Sequence, residues 1–517
     1  MSIVENVLDG IVLFLNEFRE NPNSDRIKEY GIALAKDYYS LRNQGIDFLG
    51  ILDQEFENDT QLYLLILSVL FFLFKEKKTL DKAEELLQKK DLTYDTVTGI
   101  RKQIDITRFH HMEYHVPYKQ CRKIHHLLIQ RLKEELKPEL IFVPWEQRNH
   151  RRILLVTDTL LTDLHAPTKL VLGLGKTLQE ELEYEVNILV AVENFDVEEL
   201  ENTWLYPYHV HYLPQYDGEF VRDYQGAKLQ GFQQVVDEMH FVQVRETLHR
   251  VQKWKPEMIW YIGGTSVIAD VLSESFTLAA MPCTDGYAVS DAPVLISYMK
   301  NGSQISEMEQ VIQEKGQKTI DISLTAQFVK YDKVYSPEEF GIPKDSFIIA
   351  IVGNRLDTEI NHQFIRIMEE IALNEERVYF VTIGKCSIPW KSEILNGRVV
   401  NLGYHEDLVN VLMATHLFLN PERAGGGGGA YCAIIAEVPV VTLPGCDIAN
   451  VGEAFVCDCL EEYPGLVSRY CHDEDFYQRQ VEACRNQYDR LFCVDHAEEC
   501  KKVIEQTRLH IKKNQIR

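Results

Sequence analysis

The sequence predicts an α/β protein in three parts: a helical segment, then two α/β halves in series. Three observations carry this. From the start to about residue 145, apolar residues recur at three- and four-residue intervals without strand-like alternation. From about residue 150, short β-branched apolar runs alternate with helical patterns, the signature of a parallel sheet covered on both faces. A polar, turn-rich stretch at 336–346, "SPEEFGIPKDS", then restarts the same alternation. A chain of 517 residues also exceeds what one hydrophobic core supports. The expected division is a helical domain over 1–145, an α/β domain over 146–335, a second over 336–490, and a C-terminal helix with a basic tail over 491–517.

The helical segment rests on "VENVLDGIVLFLNEF", "DRIKEYGIALAKDYYSL", "DKAEELLQKK" and "CRKIHHLLIQRLKEEL". Such a layer is expected to pack, to oligomerise, or to dock a partner or acceptor. Its longest apolar run, Leu62 to Phe74, has 13 residues and falls short of the roughly 20 that span a bilayer. It reads as a buried helix, with an interfacial membrane helix as the alternative.

In the first α/β half, "RRILLVTDTL" is a strand, "HAPTKLVLGLGKTLQEELEY" a helix and "EVNILVAVE" a strand, continued by "MIWYIGG", "SVIADVLSESF" and "APVLISYM". Gly175-Lys176-Thr177 matches the end of a P-loop, but position 170 is leucine where that loop needs glycine, and the stretch lies inside a helical pattern. A P-loop is excluded. The second half runs through "FIIAIVGNRLD", "NHQFIRIMEEIAL", "RVYFVTIGK", "VVNLGY", "EDLVNVLMAT", "HLFLNP", "YCAIIAEV" and "PVVTLPG".

Hydrophobic residues at 45% and charged residues at 26% describe an ordinary globular chain. Lys and Arg number 54 against 79 Asp and Glu, a net charge of -25, which disfavours a general nucleic-acid or anionic-membrane surface. A small basic pocket for one phosphorylated ligand remains compatible with it. The start lacks a signal peptide's basic region, and the 11 irregularly spaced cysteines fit reduced thiols. A cytoplasmic protein is expected, without metal or cofactor. A peripheral membrane contact through "SVLFFLFKEKK" and the tail "HIKKNQIR" is the alternative if the substrate is lipid-linked.

Two α/β halves in succession imply a cleft between them, where ligands bind. The strand ends of the second half carry the candidates. "IVGNRLD" places Gly353, Asn354 and Arg355 at a turn, and arginine there binds phosphate in a bidentate manner. "VTIGKCS" adds Gly384 and Lys385, and "NLGYHED" adds His405. Five consecutive glycines follow, Gly425, Gly426, Gly427, Gly428 and Gly429, where backbone must bend or come close to something. In "TLPGCDIANVGEAF", Asp447 or Asn450 is expected to cap a short helix whose amides face an anion. Together these residues read as a diphosphate site.

The first half offers His165 in the loop "VTDTLLTDLHAPT", as a base or as a residue packing that loop. Asp158 and Asp163 are alternative bases, or partners that orient it. "YIGGTSVIAD" places Gly263, Gly264 and Ser266 at a strand-to-helix turn, to approach an acceptor or simply to form a capped turn.

"FIIAIVGNRLD", "RVVNLGYHEDLVNVLMATHLFLNPERAGGGG" and "EVPVVTLPGCDIANVGEAF" resemble the donor-binding half of GT-B glycosyltransferases, and the resemblance covers roughly residues 150–500. The glycine-rich loop followed by "VPVVTLPG" is similar to the O-GlcNAc transferase and bacterial adhesin N-glycosyltransferase group, the latter also carrying a helical domain in front. The resemblance implies two Rossmann-like domains and metal-independent transfer of a hexose or N-acetylhexosamine. The donor would be a nucleotide-diphosphate sugar, UDP-linked in the first instance, and the acceptor a protein or glycan. It also implies a histidine base, for which His165 stands in the matching loop, and a bacterial source. Two departures stand out. Many retaining members place one glutamate just before the glycines and another after a seven-residue gap. Here Ala424 or Gly425 and Cys432 or Ala433 stand at those places, with Glu422 slightly early, and position 437, usually glycine, is glutamate. A non-catalytic GT-B-like protein that binds a nucleotide-sugar or partners another transferase is therefore the alternative.

Overall fold

The computed structural model describes residues 2–21, 24–110, 114–137, 139–163, 165–193, 203–205, 212–235, 240–297, 299–300, 305–326, 328, 330–423 and 425–515. Ala424 lies outside the described residues.

Among the described residues, seven α-helices open the chain: α1 (Ile3–Glu20), α2 (Asp25–Asn43), α3 (Phe48–Glu55), α4 (Thr60–Phe74), α5 (Lys77–Leu86), α6 (Tyr94–His110) and α7 (Tyr118–Leu136). Side-chain caps set several starts. Ser2 and Glu5 form a reciprocal capping box on α1, Ser24 caps α2, Asp47 caps α3 and Asp59 caps α4. Each cap satisfies backbone N–H groups that have no partner within the helix. The apolar run is α4, buried from Tyr63 to Phe71, so it is the centre of this layer and not a membrane-facing helix. Among the described residues, no helix is long and apolar enough to cross a membrane.

The first sheet contains β1 (Asn149–Thr157), β2 (Glu185–Val190), β3 (Gly218–Tyr224), β4 (Ala227–Gln233), β5 (Pro256–Ile262), β6 (Leu278–Met281), β7 (Val294–Ser297) and β8 (Lys318–Asp321). Its order is β3-β4-β2-β1-β5-β6-β7-β8, parallel except for the β3–β4 hairpin. Its helices are α8 (Ala166–Lys176), α9 (His240–Trp254), α10 (Val267–Leu272) and α11 (Ile305–Glu314). The P-loop-like triplet falls at the end of α8, as its helical spacing indicates.

The second sheet contains β9 (Phe347–Val352), β10 (Val378–Ile383), β11 (Val399–Gly403), β12 (Leu417–Leu419) and β13 (Val440–Val441), all parallel, in the order β11-β10-β9-β12-β13. Around it lie α12 (Leu356–Glu359), α13 (His362–Asn374), α14 (Leu408–Leu412), α15 (Gly427–Ile435), α16 (Tyr463–His472) and α17 (Glu474–Phe492). The last helix, α18 (His496–Gln515), returns to the first sheet. There Cys500, Val503 and Ile504 enter the sheet's core, and Arg508 reaches Glu257 and the Tyr184 hydroxyl.

Strand alternation divides each sheet's side chains between two cores. On β1, Ile153 and Leu155 face α8 and α18. Leu154 and Val156 face the opposite side, in one continuous core with Tyr63, Ile100 and Leu128 of the opening helices. The helical layer is thus the covering of one face of the first sheet. On β9, Ile348 and Ala350 pack towards α15, and Ile349 and Ile351 towards α13 and α16.

The order of the second sheet places its first and fourth strands, β9 and β12, side by side. The loops leaving those two strands go to opposite sides, and a crevice opens at the carboxyl edge between them. "IVGNRLD" and the glycine run are these two loops.

Candidate functional site

Between the two halves lies a cavity of about 510 Å³. The second half lines it with Gly353, Asn354, Arg355, Glu359, Gly384, His405, Arg423, the five glycines and Asp447, and the first half with His165, Lys169 and Cys283. Phe109, from α6 of the helical layer, completes the wall.

The glycine run contains two different structures. Gly425 and Gly426 hold left-handed backbone, φ +80° and +84°, which side chains other than glycine adopt at a cost. Gly427 then begins α15 with ordinary helical geometry, and the Gly429 N–H donates to the Gly426 carbonyl at 3.0 Å. What comes close to this backbone is largely the protein itself. A Cβ on Gly426 would lie 3.0 Å from the Arg423 guanidinium, and one on Gly425 3.2 Å from the Phe109 ring and 3.4 Å from Arg355 Nη2. A Cβ on Gly428 would be 3.7 Å from both Ala166 and Phe328, and one on Gly429 3.3 Å from Val352. The helix start carries no side-chain cap, and its first residues, Gly427 to Gly429, line the cavity.

Arg423 organises this corner. Only 5% exposed, it donates to Asn420 Oδ1 at 2.8 Å, Glu359 Oε2 at 2.6 Å and the Val352 carbonyl at 2.7 Å. It thereby ties the ends of β9 and β12 together across the crevice. Gly353 exists for it: a Cβ there would collide with the guanidinium and sit 3.1 Å from Glu359 Oε2. Gly384, at φ +112°, presses against the Gly353 carbonyl. These two glycines serve close packing inside the protein and also line the cavity.

Arg355 is the cation turned towards the cavity. Its Nε donates to Glu359 Oε1 at 2.9 Å, its guanidinium lies 5.3 Å from the centre of the Phe109 ring, and its side chain is 33% exposed. Lys169, on the first turn of α8, lines the cavity from the other half, with Nζ 4.9 Å from the Phe328 ring. Lys385 is not brought in: it is exposed and lies outside the lining. His405 lines the cavity with Nδ1 3.2 Å from Asp407 Oδ1. Burial raises the Asp407 carboxyl, but hydrogen bonds from Tyr335, Lys333 and His405 outweigh it and hold the group at about 2.

The capping role expected of Asp447 and Asn450 is not what they do. The 3₁₀ turn Asp447–Val451 has Cys446 at its N-cap, and no side chain caps it. The Asn450 amide instead donates to the Asp447 carbonyl at 3.0 Å, buried and away from the cavity lining. Asp447 does line the cavity. Burial raises its carboxyl to about 6, with a hydrogen bond from the Asp285 backbone opposing, the Asp285 carboxylate adding, and Arg355 opposing.

In the first half, His165 reaches the cavity from the N-cap position of α8, its Nδ1 3.0 Å from Thr168 Oγ1. Asp163 is paired with Arg222 outside the lining. Asp158 is also outside it, accepting a hydrogen bond from the Tyr261 hydroxyl at 2.9 Å, its carboxyl pushed up by burial and by the Glu193 carboxylate. The turn with Gly263, Gly264 and Ser266 does not face the cavity either. Ser266 caps α10 and donates to Glu193 at 2.7 Å, and a Cβ on Gly263 would meet Tyr261 and Asp158. The helical layer has taken this place. Lys102 donates to the Val192 and Glu193 carbonyls, just past β2, at 3.0 and 2.8 Å, and Arg101 to Thr265, just past β5, at 2.7 Å, so the helical layer covers this carboxyl edge of the first sheet.

Phe109, Lys169, Glu359 and Arg423 were not singled out from sequence. Arg423 stands within "NPERAGGGG", so its motif was visible. Phe109 gave no signal, because nothing in α6 marks a residue that meets a loop more than 300 positions away.

Two α/β halves facing each other across such a cavity make a GT-B fold. The chain is similar to a mutant O-GlcNAc transferase from Thermobaculum terrenum, with a TM-score of 0.53 and 14% identity over 98% of both chains. Weaker likenesses are to a glycosyltransferase from Rickettsia africae (TM-score 0.45, 10% identity, 69% of this chain and 99% of that one) and to the trehalose 6-phosphate synthase of Burkholderia multivorans (0.44, 10%, 71% and 98%). No protein-family model and no curated protein matches the sequence.

Proposed function

We propose that the chain is a glycosyltransferase that holds a nucleotide-diphosphate sugar in the cavity between its two halves. The observation that carries this is the convergence of Arg355, Lys169 and the uncapped start of α15 on one cavity of about 510 Å³. Cations and fixed amide dipoles aimed at one place stabilise a leaving diphosphate, which is the principal demand of the reaction. Arg355 and the amides of Gly427 and Gly428 would hold the diphosphate, with Lys169 closing on it from the first half. Asp447 would accept hydrogen bonds from sugar hydroxyls, and His405 with its neighbours would border the nucleoside. His165, on the opposite wall, would take the acceptor proton as the glycosidic bond forms and the sugar–diphosphate bond breaks.

The likeness to an O-GlcNAc transferase over nearly the whole length of both chains supports UDP-N-acetylglucosamine as the first donor to test. The purified protein would be offered a panel of nucleotide-sugars with protein and glycan acceptors, and the products identified by mass spectrometry. Transfer or donor hydrolysis that His165→Ala abolishes while UDP binding persists is the expected result. Binding without any turnover, in the wild type and with every donor, would favour the second reading, a non-catalytic nucleotide-sugar binder. That reading is supported by buried Cys432 and Ala433 on α15, where many retaining relatives carry a carboxylate.

A further inference from the structure

Phe109 is a residue of the helical layer, yet its ring stands in the cavity wall. It is 38% exposed and stands beside a cluster of charged side chains. Two contacts define its place. The Arg355 guanidinium carbon lies 5.3 Å from the ring centre, and a Cβ on Gly425 would come within 3.2 Å of its Cζ. Arg355 is therefore held from two directions, by the Glu359 carboxylate at 2.9 Å and by the aromatic ring. A guanidinium favours the face of an aromatic ring, and a ring so placed limits the orientations its long side chain samples.

We infer that Phe109 is a positioning residue for the diphosphate: the face of its ring orients Arg355 towards the cavity. The inference rests on the reading of this cavity as a donor site. It makes the helical layer part of the donor site, because α6 supplies one wall of a pocket otherwise built by the two α/β halves. It also adds to the demand for glycine at 425: at φ +80° a side chain is strained, and its Cβ, 3.2 Å from the ring, would push the ring off Arg355.

Titration calorimetry of the full chain with UDP tests this, on the wild type, Phe109→Ala, Phe109→Leu, Phe109→Tyr, Arg355→Ala and the Phe109→Ala/Arg355→Ala double variant. Removing the aromatic face is expected to weaken UDP about fivefold to tenfold. Phe109→Leu, which keeps apolar bulk without the π-face, should lose as much as Phe109→Ala and guards against a fold defect in the latter. Phe109→Tyr should restore near-native affinity. In the Arg355→Ala background, Phe109→Ala should add no further loss, because a residue acting through Arg355 has nothing left to orient. Wild-type affinity in Phe109→Ala, or a loss of the same size with and without Arg355, would overturn the positioning role while leaving the donor site in place. A wild type that binds no UDP at all would remove the donor reading, and this role with it.

Discussion

Gly426 lies directly over Arg423: a Cβ built on the glycine would sit 3.0 Å from the guanidinium carbon and from two of its nitrogens. The buried arginine ties β9 to β12, and the glycine turn folds down over it before α15 begins. The start of the candidate anion-binding helix is therefore placed by an ion that contacts Glu359, Asn420 and the Val352 carbonyl.

Arg423→Ala should accordingly destabilise the protein by about 2 kcal/mol or more, since it removes the donor shared by Glu359 Oε2 and the Val352 carbonyl and leaves the buried carboxylate with Arg355 alone. Arg423→Lys should recover little, because an ammonium cannot reproduce the three-way planar geometry. Urea unfolding of both variants checks this, and a loss below about 1 kcal/mol in either would show that the corner holds without the guanidinium.

The glycines of the run should separate by position. Gly426→Ala faces both φ +84° and the guanidinium, and a loss of at least about 1 kcal/mol is expected. Gly427→Ala has ordinary helical backbone and a nearest neighbour, the Asp447 Cβ, at an unstrained 3.6 Å. It should be neutral or stabilise by up to about 1 kcal/mol through helix propensity. Equal melting temperatures for the two variants would contradict the assignment of different roles.

Arg355 and Lys385 looked alike in sequence and should behave differently. A ligand that binds only the folded state raises its melting temperature. The shift produced by UDP should shrink strongly in Arg355→Ala, with affinity reduced about tenfold or more, and remain in Lys385→Ala. A matching loss in both variants would move the diphosphate towards Lys385.

Glu437 terminates α15 in left-handed backbone, φ +58°. The Val438 N–H donates to the Ala433 carbonyl at 2.9 Å and the Glu437 N–H to Ile434 at 3.1 Å, a helix ending that favours glycine. Its partner Arg485 is half exposed, so that ion pair contributes little. Glu437→Gly should stabilise the protein by about 0.5–1 kcal/mol in chemical denaturation. A destabilised variant would mean that the ion pair outweighs the backbone strain.

Asp447 makes stability depend on pH in a set direction. Its carboxyl titrates at about 6 in the folded protein, against an ordinary value near 3.8. Between these values the folded state binds more protons than the unfolded one, so stability falls as pH rises through the window and levels off above it. Asp447→Asn removes this dependence. The stability of wild type relative to the variant should decline from pH 4 to about pH 6.5 and then stay level. Parallel curves would show that Asp447 ionises normally.

The sequence by itself determined the order of helices and strands and the existence of two α/β halves. Side-chain periodicity and strand–helix alternation are local properties, and they survive whatever the partners are. It also marked the two loops of the site, because "IVGNRLD" and the glycine run leave strands that parallel-sheet topology places side by side. What those glycines accommodate was decided only by tertiary structure. Gly353 and Gly426 make room for Arg423, and Gly384 for the Gly353 carbonyl. The turn at Gly263 to Ser266 had the composition of a ligand loop, but Arg101 and Lys102 of the helical layer cover that edge of the first sheet. Lys169 and Phe109 entered the site from elements with no loop-like signature. Which side chains converge depends on how separate elements pack across hundreds of residues, and no local pattern records that distance.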